Sequence, residues 1–334
     1  MDSLQAPEKE SIQPILRTEE ISKQFGVMKV FDKVSIEVYP EEILGIIGVS
    51  GIGKTTLLEL MVGFQKSDLG RVSFRVGEAF SLQQGQAVFR SVIDEQDKFR
   101  TLFGFAAQEP SFYEALTVEE NLAYFGSLYN LSKKTIKGNT DLLLRLVDLE
   151  ENRKLPAANL SGGMQKRLDI ACALIHNPKI LFLDEPTADL DILLRKQMWD
   201  LVRKINEKGT TVVIASHSLD EIQTLCNRIA LLHNQTIAWI GTMKDLREKF
   251  DQQQELYLQT ESGKYSALLD HLKKKNLAIT KSKIDGNSLV LFSSNAELLL
   301  HHAIHFLESN KEIVVDVELR PPALSDLFES MPNK

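Results

Sequence analysis

Apolar positions along this chain change their period several times. Over residues 15–38 they alternate, as in Val34-Ser35-Ile36-Glu37-Val38, which predicts antiparallel strands with one covered face. Pro40-Glu41-Glu42 makes a turn, and 43–47 is an unbroken apolar run that predicts a short central strand. A helix is expected over 55–62 and ends at Gly63. Residues 70–100 mix polar and apolar positions around Gly77 and Gly85 and predict strands with a loop excursion, followed by another strand at 102–106. Helical spacing then dominates 118–128, 141–149 and 163–176. Strand and helix alternate again through 180–183, 190–207, 211–215 and 219–226, the pattern of an α/β domain with a parallel sheet and helical crossovers.

The character changes after residue 250. A Gln-rich break at 251–255 precedes strand 255–259, helix 265–274, strands 278–283 and 288–292, helix 296–308 and strand 313–319. This order is the split ferredoxin-like pattern, so a small α+β accessory domain is expected over 251–334. Residues 1–14, polar and containing Pro7, predict a flexible tail ahead of a main domain at 15–250.

Composition narrows the class. With 334 residues, 43% hydrophobic and 25% charged, the chain can form one large domain and a smaller one. A net charge of −7 gives no general attraction to nucleic acid, and no nucleic-acid partner is expected. Cys172 and Cys226 are far apart without metal-ligand spacing, which predicts buried thiols in a reducing compartment. No apolar run reaches the roughly 18 residues of a membrane span, and no apolar leader follows the N-terminus. Work at a membrane would therefore require docking onto another chain.

The candidate chemistry starts at Gly48-Val49-Ser50-Gly51-Ile52-Gly53-Lys54-Thr55-Thr56, a glycine-rich loop between a predicted strand and a predicted helix. Glycines there let the backbone approach closely, and successive N–H groups at the helix start converge on phosphate oxygens. Lys54 can then reach the β- and γ-phosphates of ATP, and the Thr55 hydroxyl can ligate Mg2+. Downstream, Ile180-Leu181-Phe182-Leu183 delivers two adjacent acids, Asp184 and Glu185. Asp184 is the expected holder of Mg2+, and Glu185 the group that polarises the attacking water.

Leu160-Ser161-Gly162-Gly163-Met164 resembles the signature of the ATP-binding cassette (ABC) family, with Met164 where Gln is commonest. Together with Arg167-Leu168 and Leu183-Asp184-Glu185-Pro186-Thr187, it is similar to the ATPase subunits of drug-resistance exporters of the daunorubicin type. The resemblance covers roughly 15–250. It implies a P-loop NTPase core with a mixed sheet, an antiparallel β subdomain, and a helical subdomain at about 109–178.

Further roles follow from that resemblance alone. Phe25 matches the aromatic that stacks on adenine. Gln108 matches the residue touching Mg2+ and water, and His217 the histidine that senses the γ-phosphate. Asp191 matches a loop that crosses between subunits, although Ala188 and Asp189 depart from the usual Ser-Ala before it. Ser161, Gly162 and Gly163 match the helix end that closes over ATP held by a second ATP-binding subunit, identical or different. The family also implies a separate polytopic permease as partner, a peripheral location on the cytoplasmic face of the membrane, and energised transport, with export favoured. The ending Pro321-Pro322-Ala323-Leu324-Ser325-Asp326-Leu327-Phe328 resembles that of the same exporter ATPases, and the region from 251 onward is expected to stabilise or regulate a dimer. A soluble ABC-type ATPase acting in translation or repair is the alternative. The single set of motifs, with neither coiled coil nor zinc module, counts against it. A P-loop kinase leaves the Ser-Gly-Gly motif without a purpose.

Overall fold

The computed structural model describes residues 13–76, 88–218, 222–250, 254–275 and 277–320. Most of the expected N-terminal tail, the excursion around Gly77 and Gly85, the start of the helix expected at 219–226, and the ending from Pro321 lie outside the described residues. The chain divides into two compact units, Met1–Ile240 and Gly241–Lys334, which places the division ten residues earlier than the sequence pattern places it.

In the first unit, strands β1 (Leu16–Phe25), β2 (Met28–Val38), β4 (Leu69–Val76) and β5 (Val88–Ser91) form an antiparallel sheet in the order β2-β1-β4-β5. A second, six-stranded sheet contains β3 (Ile43–Ile47), β6 (Phe103–Ala106), β7 (Ile180–Asp184), β8 (Thr211–Ser216), β9 (Arg228–His233) and β10 (Thr236–Gly241). Its order is β10-β9-β3-β8-β7-β6, and β9, β3, β8, β7 and β6 run parallel. Strands β3, β7 and β8 are buried at every position, which explains their unbroken apolar sequences.

Between and around these strands run α1 (Lys54–Val62), α2 (Gln96–Phe99), α3 (Val118–Leu128), α4 (Lys133–Leu146), α5 (Gly162–Leu174) and α6 (Ile192–Asn206). Helix α3 starts in a full capping box, with Thr117 accepting from the Glu120 amide and the Glu120 carboxylate reaching back. Helix α4 begins eight residues before the helix expected at 141. Ser132 caps it by accepting from the Thr135 amide at 3.1 Å, and its first two turns are too polar to show an apolar period. Strands β9 and β10, which have no counterpart in the sequence reading, extend the central sheet. One apolar core joins the two sheets. Phe74 of β4 meets Phe103 of β6 edge-on at 5.4 Å, and Phe103 meets Phe182 of β7 at 5.7 Å.

The second unit contains α7 (Met243–Phe250), β11 (Gln254–Thr260), α8 (Ser266–Lys274), β12 (Ile279–Asp285), β13 (Ser288–Ser293), α9 (Ala296–Ser309) and β14 (Val314–Arg320). Its sheet order is β12-β13-β11-β14, with all three neighbouring pairs antiparallel. Leu256, Leu258, Leu289 and Leu291 pack under Leu268 and Leu299 of the two helices as a separate core. No helix among the described residues is long and apolar enough to cross a membrane.

The helical segment is tied to β6 through His176, just after α5. Its ring stacks on Tyr129 at 3.7 Å and 14°, Nε2 donates to the Phe103 carbonyl at 3.0 Å, and Nδ1 is buried without a partner. Burial lowers its pKa from 6.5 to about 4, against the pull of the Phe103 carbonyl. The unfolded chain therefore binds a proton that the folded chain refuses between those values. Stability is complete above about pH 6.5 and falls toward pH 4. Urea unfolding at pH 7 and pH 5 should differ by about 2 kcal/mol from this group alone, and His176→Gln should remove that part of the difference.

Candidate functional site

Parallel strands that share a sheet end their chains at one edge, and here that edge collects the motifs. The loop Gly48–Gly53 leaves β3, Gln108 follows β6, Glu185 follows β7 and His217 follows β8, on four adjacent strands. Register fixes the alignment, with Ile47 opposite Ser216 and Asp184 opposite Ala215.

The loop depends on glycine at two positions. Gly53 has φ of 107°, and a Cβ there would lie 2.5 Å from Val30 Cγ1. A Cβ on Gly48 would lie 2.9 Å from the Leu232 carbonyl oxygen. Folded this way, the loop surrounds the Lys54 ammonium, which is 6% exposed and donates to the carbonyls of Gly48 at 2.9 Å and Val49 at 3.3 Å. Lys54 also pairs with Glu185 Oε1 at 3.2 Å.

Glu185 holds φ at 47°, a left-handed turn immediately after β7, and its amide donates to the Ala215 carbonyl at 2.9 Å. That turn lets the side chain face the loop instead of the opposite side of the strand. Its Oε2 lies 2.9 Å from His217 Nδ1, and the His217 side chain is 61% exposed. Lys54, Glu185 and His217 thus form a continuous polar chain from the buried loop to solvent.

Asp184 differs. It is 1% exposed, and both carboxylate oxygens are buried with no hydrogen-bond donor in bonding geometry. Burial pushes its carboxyl pKa up, and the neighbouring Thr55 hydroxyl is the largest influence in the other direction. Orphaned, buried carboxylate oxygens beside a hydroxyl are a donor set suited to a hard divalent cation.

Ser50, Gly51, Gly53, Lys54, Thr55 and Thr56 meet Gln108, Glu185 and His217 around one cavity of about 310 Å3. Phe25, Ser161, Gly162 and Gly163 do not line it. Phe25 sits at the end of β1, 45% exposed, with the Lys23 ammonium 5.2 Å from its ring centroid. Ser161 caps α5 through the Met164 amide at 3.4 Å, and Ser161 and Gly162 are exposed. Asp191 caps α6 by accepting from the Leu194 amide at 2.9 Å.

The ABC transporter family model matches residues 31–188, which contain the loop, the signature and both acids. The linearmycin resistance ATP-binding protein LnrL of Bacillus subtilis is 32% identical over 232 residues, 70% of each chain.

The chain belongs to the ABC transporter ATP-binding family.

The daunorubicin resistance ATP-binding protein DrrA3 of Streptomyces coeruleorubidus is 28% identical over 308 residues, 92% of both chains. Among solved structures, the ADP conformation of the ABC transporter cassette MJ1267 superposes with a TM-score of 0.60 at 28% identity, covering 71% of this chain and 94% of that one. This ABC ATPase is an ATP-hydrolysing, ATP-binding subunit of the transporter type, with the α/β cassette fold. The cavity described above is where its phosphate loop lies.

Sequence reasoning missed several members of the site's surroundings. Lys166 of α5 donates from Nζ to the Gln108 carbonyl. Asp169, 2% exposed, accepts from both the Ser111 amide at 2.9 Å and the Ser111 hydroxyl at 2.7 Å. The signal for Asp169 was an acid interrupting the apolar run Leu168–Leu174; Lys166 left none.

Replacing Lys54 by alanine removes the only ammonium among the described residues that line the cavity and breaks the Lys54–Glu185 ion pair. Lys54→Ala should weaken ATP binding by at least about tenfold and abolish turnover, as read by equilibrium nucleotide binding and phosphate release.

Proposed function

We propose that this ABC ATPase energises export through a separate membrane-spanning permease. The carrying observation is the reach of its likeness to the daunorubicin resistance ATP-binding protein, which extends over 92% of both chains and so takes in the second unit as well as the cassette. The relatives also include a Nod factor export protein, 33% identical over 66% of this chain. A probable sulfate/thiosulfate import protein, 33% identical, matches 69% of this chain, a smaller share than the daunorubicin resistance protein matches. Gln108 and the helices beyond it form the docking face for the permease, which keeps the chain at the cytoplasmic side of the membrane. Extraction of the native complex with mild detergent should recover a polytopic chain with this one; recovery with ribosomes and no membrane protein would refute the reading.

Each site residue takes a role in this proposal. Phe25 stacks on adenine, and the loop from Gly48 to Thr56 binds the phosphates. Thr55, Asp184 and Gln108 hold Mg2+, which when bound neutralises phosphate charge and orients the terminal group. Glu185 accepts a hydrogen bond from the attacking water, and His217 holds Glu185 in place while facing the γ-phosphate. The exposed N-terminus of α5, led by Ser161, Gly162 and Gly163, supplies N–H groups to an ATP bound by a second ATP-binding subunit. Two such contacts make the dimer ATP-dependent. Hydrolysis releases it, because ADP lacks the group both subunits share. The second unit stabilises or regulates that dimer.

Glu185→Gln keeps the shape of the side chain and removes its charge. It should bind ATP, lose about 10²–10⁴ in turnover, and elute with ATP at twice the monomer mass on size exclusion. A variant that stays monomeric and active would move the water-activating role to another residue.

A further inference from the structure

We propose that Lys166 and Asp169 are positioning residues that staple the Gln108–Ser111 segment to the signature helix and so hold Gln108 at the wall of the nucleotide cavity. This deepens the proposed function and rests on its reading that Gln108 acts in the site.

Lys166 and Asp169 stand three positions apart, on one face of α5 and within three turns of Ser161 at its cap. Lys166 holds the Gln108 carbonyl at one end of the segment. Asp169 holds the Ser111 amide and hydroxyl at the other, both on Oδ1. Between them lie Glu109 and Pro110. Proline fixes its own φ, offers no N–H, and restricts the residue before it, so the clamped segment behaves as a stiff strut.

The chemistry of the clamp is costly to leave unmade. Asp169 is buried, and burial raises its carboxyl pKa while the two Ser111 bonds and the nearby Lys166 charge lower it. Removing Asp169 strands the Ser111 amide, and removing Lys166 frees the Gln108 carbonyl at the cavity wall. Neither residue lines the cavity; Gln108 does. The staple therefore acts through Gln108, and it gives one helix two jobs. The exposed end of α5 presents Ser161 outward, while its second and third turns hold the strut that carries Gln108.

A double-mutant cycle on the full-length chain tests this, with kcat and KM for ATP measured for Lys166→Met, Asp169→Ala, Asp169→Asn, Gln108→Ala and the pairs. Lys166→Met and Asp169→Ala should each lower kcat by about tenfold to a hundredfold, with KM within about twofold. Asp169→Asn, which keeps an oxygen acceptor for Ser111, should recover most of the loss. In the Gln108→Ala background each further change should alter kcat by less than about twofold. Effects that multiply independently of Gln108 would overturn the staple and leave the role of Gln108 intact. A Gln108→Ala protein with wild-type kcat would overturn the role of Gln108 and the staple with it. Should Asp169→Ala fail to fold, the Lys166→Met and Gln108→Ala pair alone decides between coupling and independence.

Discussion

An ammonium with almost no contact with water has to be satisfied from within, and Lys54 sets that requirement for the whole site. Two loop carbonyls and Glu185 surround it, and each is placed by a different piece of the fold. The carbonyls turn inward because glycines allow the loop to close. Glu185 turns inward because its left-handed φ breaks the alternation of β7. A buried ion pair contributes little net stability, since desolvation offsets much of the attraction. Its value lies elsewhere. Lys54 and Glu185 neutralise each other, and under the proposed function an arriving triphosphate offers Lys54 a better partner. Under the same proposal that exchange frees the Glu185 carboxylate, still held by His217, for the attacking water.

Asp184 presents the complementary problem. Its neighbour in sequence is fully engaged, yet its own oxygens are buried without donors. A protein of this size can tolerate one such group where a ligand answers it. The two adjacent acids are thus separated by their environments: one is matched to a side-chain cation, and the other is buried with its oxygens unpaired, which suits the cation proposed for the site. The strand-end turn brings Glu185 to the loop side, where a continuous strand would have sent the two side chains to opposite faces.

Much of this architecture was legible before any coordinates. Strands β3, β7 and β8 announce themselves as apolar runs because both of their faces are covered, and the glycine loop, the signature and the two acids follow from residue type and order. The helix α4 was half hidden, since Lys133, Lys134, Lys137 and Asn139 mask its early turns. Strand β10 was hidden as well, because its side chains are only partly covered and its apolar residues do not alternate cleanly. Side-chain pairing across the sheet was invisible for a more basic reason. The contacts Lys54–Glu185 and Lys166–Gln108 join residues far apart in the chain, and nothing in local periodicity encodes which strand ends become neighbours.

The same reasoning explains why the site looks incomplete in a single chain. Four strand ends supply a phosphate loop, an acid, a glutamine and a histidine on one side of a cavity. The signature residues Ser161 and Gly162 point their exposed helix end elsewhere, although they lie on the helix that grips the Gln108 segment. A helix N-terminus left open to solvent carries unsatisfied N–H groups and a partial positive charge, and a phosphate brought to it from another molecule would satisfy both. The open end and the gripped segment belong to one helix and its hydrogen-bonded partner, so under the proposed staple a contact made at the first bears on the second.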